Sequence, residues 1–484
     1  MYSPEIVDMP EYTATQESNK LLGELKSCNI RFAHWKSNSH LSKGLAGKTD
    51  LDLLIYPTDK PLFEACLYNL GYKKIQSQPW STYPDVDDWI GLDYETGKLL
   101  HVHAHYALVT GIQHVKHLYL PWIEVFFEHV IIDDQTGWPI PEPELEALVL
   151  FIRIWAKMPL NERRKDTPKI PSYIQAELLS LLQKSDLMEI RNLCSKLNLK
   201  IPNGFEVQIN TILDKKRPED ILEISSLLYQ QVIPFFRMPW RQSLMISSYY
   251  KSLLKFKKHS HKFIGPDRFG KTLCNGGKVI ALIGSDGSGK STLSRELIEW
   301  LSFKIDTHYF YLGKSPFIRS YNKTLFSRAY ILFSGNKAPR YFRKALGKLY
   351  YLLLIKEKLN SLRLAEKMSQ GGSIIICDRF PQKDVFGIND GPYLQGKGNS
   401  FFARQEMKMF DEVTEVEPDL VIKLHITPEI ASQRKPEHDL EMIKQKCKNI
   451  DAITFKHAKV VTIDASEPYH QVLLNAKRAI WNSI

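Results

Sequence analysis

The chain reads as an α/β protein, with a parallel five-stranded sheet flanked by helices in its C-terminal half and an α+β domain with a helical extension before it. Three observations predict this. Residues 284–292 read Gly-Ser-Asp-Gly-Ser-Gly-Lys-Ser-Thr, a G-x-x-x-x-G-K-[ST] phosphate loop without mismatch. From 271 to 484, short apolar runs alternate with helical stretches, the pattern of parallel strands covered on both faces. Before that, strand-like runs and a hairpin give way to a mostly helical stretch from 141 to about 256.

The bulk composition narrows the class. The 484 residues exceed what one core holds, so more than one domain is expected. A hydrophobic fraction of 43% and a charged fraction of 25% are those of a globular protein. The N-terminus lacks the basic start and apolar run of a signal peptide, and no apolar run is long enough to span a bilayer. Cys28, Cys66, Cys194, Cys274, Cys377 and Cys447 are scattered, with no C-x-x-C pair. That fits reduced thiols of a cytoplasmic protein, not a disulfide framework or a zinc site.

Taken in order, a helix is expected over 15–27, a short strand over 31–35 and a helix over 60–70. The stretch "DWIGLDYETGKLLHVHAHYAL" reads as a hairpin turning at Thr96-Gly97. Between 251 and 271 basic residues gather (Lys255, Lys257, Lys258, His259, His261, Lys262, Arg268), and the net charge is +11. This reads as a solvated linker. Nucleic acid or an anionic membrane is the alternative, but no nucleic-acid motif accompanies the charge. Gly265-Pro266 and Asn275-Gly276-Gly277 punctuate the stretch. Domains are therefore expected at 1–140, 141–262 and 271–484. Further strands are expected at 278–283, 308–312, 373–377, 420–426 and 459–463, with the longest helix around 341–368.

In the N-terminal part, Asp50 and Asp52 stand at i and i+2 in "TDLDLLI". On a strand both carboxylates share one face, a spacing suited to a pair of Mg²⁺ ions and a triphosphate. His101, His103 and His105 also share a strand face, which points to a metal site or an altered catalytic site joined to those acids, or to core hydrogen bonding. Trp35, Trp80 and Trp89 read as core. Residues 14–135 resemble the nucleotidyltransferase superfamily, whose pattern is a Gly-Ser element, a short helix and Asp-x-Asp on a strand. Lys36-Ser37-Asn38 stands where the Gly-Ser element belongs, and the later strand has no third acid, Asp93 being the nearest substitute.

In the C-terminal part the apolar strand before the phosphate loop and the helix after it, with Leu293, Leu297, Ile298 and Leu301 on one face, supply the context the motif needs. Backbone N–H groups of Gly284, Ser285, Gly287, Ser288 and Gly289 are candidates to cradle phosphates. Lys290 is placed to reach the β/γ-phosphates, Ser291 to bind Mg²⁺, and Thr292 completes the motif. Strand "SIIIC" ends in Asp378-Arg379-Phe380, an acid for the Mg²⁺ shell beside a cation for the acceptor phosphate. Thr427-Pro428-Glu429 opens a helix that runs into Arg434-Lys435-Pro436-Glu437-His438, suited to a mobile lid. The guanine-reading N-K-x-D motif is absent.

These pieces, with "PDLVIKLHITPE" and "TIDASEP" in the same order, resemble the thymidylate kinase family of nucleoside monophosphate kinases over about 278–484. The resemblance implies transfer of the γ-phosphoryl of ATP, with Mg²⁺, to a nucleoside monophosphate or related small molecule, in a homo-oligomer formed through this half. It implies Lys290, Asp378, Asp286 and Arg434 as catalytic residues, with Lys435 the second lid candidate. Arg379 and Asp286 would face the acceptor, and Ser291 and Asp378 the metal. Gly287 follows Asp286, so the loop has no Arg of its own and the lid supplies one. One departure concerns the acceptor. The family's Arg-Glu-Pro-Gly-Gly stretch is replaced by "YFYLGKSPFIRS", where Lys314 or Arg319 would substitute, so dTMP itself is not specified. Two other readings stay open: a nucleotidyltransferase with a supporting kinase domain, and a non-catalytic ATP-binding interaction protein.

Overall fold

The computed structural model of the chain describes residues 12–163, 165, 168–264, 270–313, 340–382, 392–394, 400–437 and 439–484, without side chains over 260–264 and 340–346. These residues form two compact units, 1–258 and 259–484.

In the first unit the helix Gln16–Ser27 starts where Thr15 accepts from the Ser18 N–H, a cap that supplies a partner for one otherwise orphan donor. The strands are β1 (Phe32–His34), β2 (Leu51–Ile55), β3 (Lys73–Gln76), β4 (Val86–Leu92) and β5 (Leu99–His105). β1 is antiparallel to β2, β2 is parallel to β5, and β4 is antiparallel to both β5 and β3. The hairpin β4–β5 turns where expected, and Gly97 takes a φ of +68° there. Leu53, Val102 and Trp89 from the sheet pack with Leu21 and Leu25 and with Phe63 and Leu67 of the helix Lys60–Asn69.

Two short antiparallel pairs follow: β6 (Leu108–Thr110) with β7 (Leu118–Leu120), and β8 (Val130–Ile132) with β9 (Pro139–Pro141). The expected helical stretch comes next, beginning with Pro143–Lys157 and ending with Trp240–Ile264. The helix Pro143–Lys157 is apolar almost all round, so it is buried on every face, chiefly against Pro218–Gln231 and Ser172–Lys184. Trp35 and Leu54 belong to the same apolar core as this helix, so sheet and helical extension share one interior. Trp35, Trp80 and Trp89 are all buried.

In the second unit a short strand β10 (Thr272–Leu273) precedes β11 (Lys278–Gly284), β12 (Thr307–Tyr311), β13 (Ile374–Asp378), β14 (Leu420–His425) and β15 (Lys459–Asp464). The sheet order is β12-β13-β11-β14-β15, parallel throughout. The five strands lie within a residue of the expected positions. The chain spreads outward on both sides of β11, which puts a crevice at the carboxyl ends of the central strands. β13 is buried along its whole length, as are the inner residues of β11 and β14. Even Lys423 on β14 is buried, its ammonium donating to the Asp451 and Ile453 carbonyls at 3.1 and 2.9 Å. Among the described residues no helix is long and apolar enough to cross a membrane, and none of the six cysteines is in a disulfide.

Candidate functional site

The phosphate loop joins β11 to the helix Lys290–Ser302. Gly287 and Gly289 have φ values of +82° and +87°, a region that side-chain-bearing residues avoid. A Cβ on Gly287 would come within 2.8 Å of the Ala431 carbonyl in the helix Pro428–Arg434. That close packing leaves no room for a loop Arg. Ser288 Oγ closes the loop by donating to the Ser285 carbonyl at 2.8 Å.

Lys290 folds back and donates to the Gly284 and Ser285 carbonyls at 2.8 and 2.7 Å. Burial lowers its pKa to about 8, with Arg379 and Lys446 adding repulsion against the attraction of Asp378 and Asp286. Asp378, at the end of β13 and 2% exposed, accepts on Oδ2 from Ser291 Oγ at 3.3 Å and from the Tyr309 hydroxyl at 3.1 Å. Its Oδ1 is buried with no hydrogen-bond partner among the described residues. A buried acceptor without a donor is costly, and a bound cation beside Ser291 would relieve it.

Arg379 takes a φ of +63°, and its guanidinium lies 5.7 Å from the Tyr311 ring centroid. Asp286 pairs with Lys446 of the helix Leu440–Ala452. Burial opposes ionisation of Asp286, but Lys446 outweighs it and holds the carboxyl below its usual range. Arg434, in the last turn of its helix, donates to the Ala465 carbonyl at 2.9 Å.

A cavity of about 410 Å³ gathers these groups: Asp286, Gly287, Gly289, Lys290, Ser291 and Thr292 from the loop, Tyr311 from β12, Asp378 and Arg379 at the end of β13, and Arg434 and Lys435 at the end of the helix Pro428–Arg434. Gly284, Ser285 and Ser288 are not part of its lining. Sequence reasoning missed Tyr309, Tyr311 and Lys446. The two tyrosines lie at alternate positions of β12, a spacing that could have flagged them, whereas nothing local marks Lys446 as the partner of Asp286. His438, Lys314, Arg319 and the stretch 383–391 lie outside the described residues.

The N-terminal acids and histidines also meet. β2 and β5 are parallel neighbours with Asp52 opposite His103. Asp52 Oδ1 lies 3.0 Å from His103 Nδ1, 3.3 Å from His105 Nε2 and 2.8 Å from the Lys36 ammonium. Burial works against charge on Asp52, yet Lys36 and the two histidines hold its pKa well below the usual carboxylate value. Burial lowers the pKa of His103, and burial together with Lys36 lowers that of His105 further. His101 is 1% exposed and sits between Asp50 Oδ1 at 2.7 Å and Asp88 Oδ1 at 2.9 Å.

The third acid of this cluster is thus Asp88 on β4, not Asp93. Asp93 accepts from the Thr96 hydroxyl and from the Thr96 and Glu17 N–H groups, which makes it the organiser of the hairpin turn. Asp52, His103 and His105 each bring one ligand atom within 4.8 Å of the others, a spacing fit for one ion, and the Lys36 ammonium lies against two of them. Lys36-Ser37-Asn38 is anchored by Asn38, whose N–H and side-chain amide donate to Glu146 at 3.0 and 2.7 Å.

The second unit is defined by its parallel sheet and by the phosphate loop at the end of the central strand: it is a phosphate-loop α/β unit. The protein YghR of Escherichia coli (strain K12), named as an uncharacterized ATP-binding protein, is 30% identical over 218 residues, covering 42% of this chain and 86% of YghR. YghS of the same strain, named in the same way, is 33% identical over 221 residues, covering 42% of this chain and 92% of YghS. The chain belongs to the YghR and YghS family. No protein-family model matches it.

Proposed function

We propose that the C-terminal unit binds ATP with Mg²⁺ and transfers the γ-phosphoryl group to a small acceptor, a phosphotransferase of the nucleoside monophosphate kinase type. The observation that carries this reading is the convergence of Lys290, Ser291, Asp378, Arg379 and Arg434 on one cavity of about 410 Å³. The names of YghR and YghS as ATP-binding proteins support the donor half of it.

The residues fit a bound Mg²⁺. Ser291 Oγ and the unpartnered Oδ1 of Asp378 would hold it directly or through water, and the ion would neutralise charge on the β- and γ-phosphates. Loop N–H groups and the N-terminus of the helix Lys290–Ser302 cradle the phosphates. Lys290 leaves the two carbonyls it now serves and donates to the phosphate chain. Arg379 holds the anionic group of the acceptor. Arg434 offsets the charge that spreads over the equatorial oxygens in the transition state, since phosphoryl transfer rests mainly on positioning and electrostatics.

ADP release tests the reading, measured against a panel of nucleoside monophosphates and sugar phosphates. Acceptor-dependent ADP release that is lost in Lys290→Ala supports it. ATP binding without turnover across the whole panel overturns it.

A further inference from the structure

The N-terminal unit has a cavity of its own, of about 400 Å³, beside Ser37. Arg153 and Lys157 line it one turn apart on the helix Pro143–Lys157, an i,i+4 pair of like charges that repel. Arg153 is 8% exposed, and among the described residues its side chain makes a single long hydrogen bond, to Ser37 Oγ at 3.4 Å, while its buried Nε has no partner. Lys157 makes no ion pair among the described residues. Ser37 holds a φ of +56°, in the left-handed region that non-glycine residues adopt uncommonly. Ile154, Ile170 and Ile174 give the cavity apolar walls. Lys169 and the buried Glu177 complete the charged lining, three cations against one carboxylate, and this excess of positive charge with an unsatisfied guanidinium N–H under apolar walls suits an anion carried on an apolar or ring-bearing body.

The acids of the Asp50, Asp52 and Asp88 cluster already have partners. Lys36 sits on Asp52 at 2.8 Å, and His101 takes both Asp50 and Asp88. A divalent ion on Asp52 Oδ1 would compete with the Lys36 ammonium. We propose that this cavity binds a phosphorylated small molecule on Arg153 and Lys157 without a divalent ion, Lys36 serving as the fixed cation on Asp52. This differs from the Mg²⁺ pair that the Asp50–Asp52 spacing suggests, and it is independent of the phosphotransfer reading of the other unit.

The test uses the full chain carrying Lys290→Ala, which weakens the phosphate loop, with inorganic phosphate and pyrophosphate as probes in calorimetry. The expected result is binding in the presence of EDTA, weakened about tenfold or more by Lys157→Ala and by Arg153→Gln. Lys157 is exposed, so its variant keeps the fold, and an unchanged melting temperature checks this. Three results overturn the proposal. One is no binding of either probe. Another is binding that both variants leave intact. The third is binding that appears only with added Mg²⁺ or Mn²⁺ and is lost in Asp52→Asn.

Discussion

The two units hold their charged groups in opposite ways. In the C-terminal unit the groups are provisional: Lys290 rests on two loop carbonyls, Arg434 on one, and Asp378 keeps a buried oxygen without a donor among the described residues. In the N-terminal unit the acids are paired, with Asp52 taken by Lys36, His103 and His105 and His101 bridging Asp50 and Asp88, while His105 Nδ1 stays buried without a partner among the described residues. The first arrangement lowers the cost of receiving a ligand, because its donors exchange one set of acceptors for another. The second resists intrusion, since an ion on the paired oxygens competes with partners already in place.

The largest test of this contrast is Lys290→Ala. ADP release is expected to fall by about a hundred- to a thousandfold, the size of losing one pre-positioned donor at a phosphoryl-transfer site. Arg434→Ala is expected to act in the same direction with unchanged melting temperature, and an unaltered rate would remove the lid from the mechanism.

Asp52→Leu breaks the other side of the comparison. It strands Lys36, whose side chain is 12% exposed, and is expected to cost about 3 kcal/mol in urea unfolding. Adding Lys36→Met should recover most of that, because the charge left without a partner is gone. If the single variant is as stable as the parent, the Lys36–Asp52 pair does not hold this cluster together.

A pH effect separates the units further. The Lys290 pKa in the folded chain is about 8 against an ordinary 10.5, so between those values the unfolded chain binds the extra proton. Stability therefore rises with pH across that window. A triphosphate favours the charged lysine, so ATP affinity should fall as pH climbs through about 8. Titration calorimetry at several pH values would show this, and Lys290→Arg should flatten it.

The smallest effect is expected from Gly287→Ala. With a φ of +82° and the Ala431 carbonyl 2.8 Å from the new Cβ, the variant should lose about 1–2 kcal/mol in stability and some ATP affinity. A thermal melt paired with a binding isotherm would separate the two losses.

Legibility followed sequence distance. The phosphate loop is nine consecutive residues, so motif, strand and helix could be read together, and all five strands of the parallel sheet lie close to where apolar patterning puts them. The shared face of His101, His103 and His105 was equally readable from period-two alternation. Asp88 was not: it meets His101 only because β4 folds back on β5, and the nearer Asp93 looked as suitable until its turn-forming hydrogen bonds were seen. Lys446 lies 160 residues from Asp286, and no local pattern joins them.

The sequence by itself determined the class of the C-terminal unit, its phosphate loop and the strand faces of the N-terminal acids and histidines. These follow from contiguous motifs and from backbone periodicity, which act over a few residues. Only the tertiary structure decided which partner each charge takes: Lys36 on Asp52, Lys446 on Asp286, Arg153 beside Ser37. Such pairings depend on strand order and helix docking, and burial then makes each of them energetically decisive.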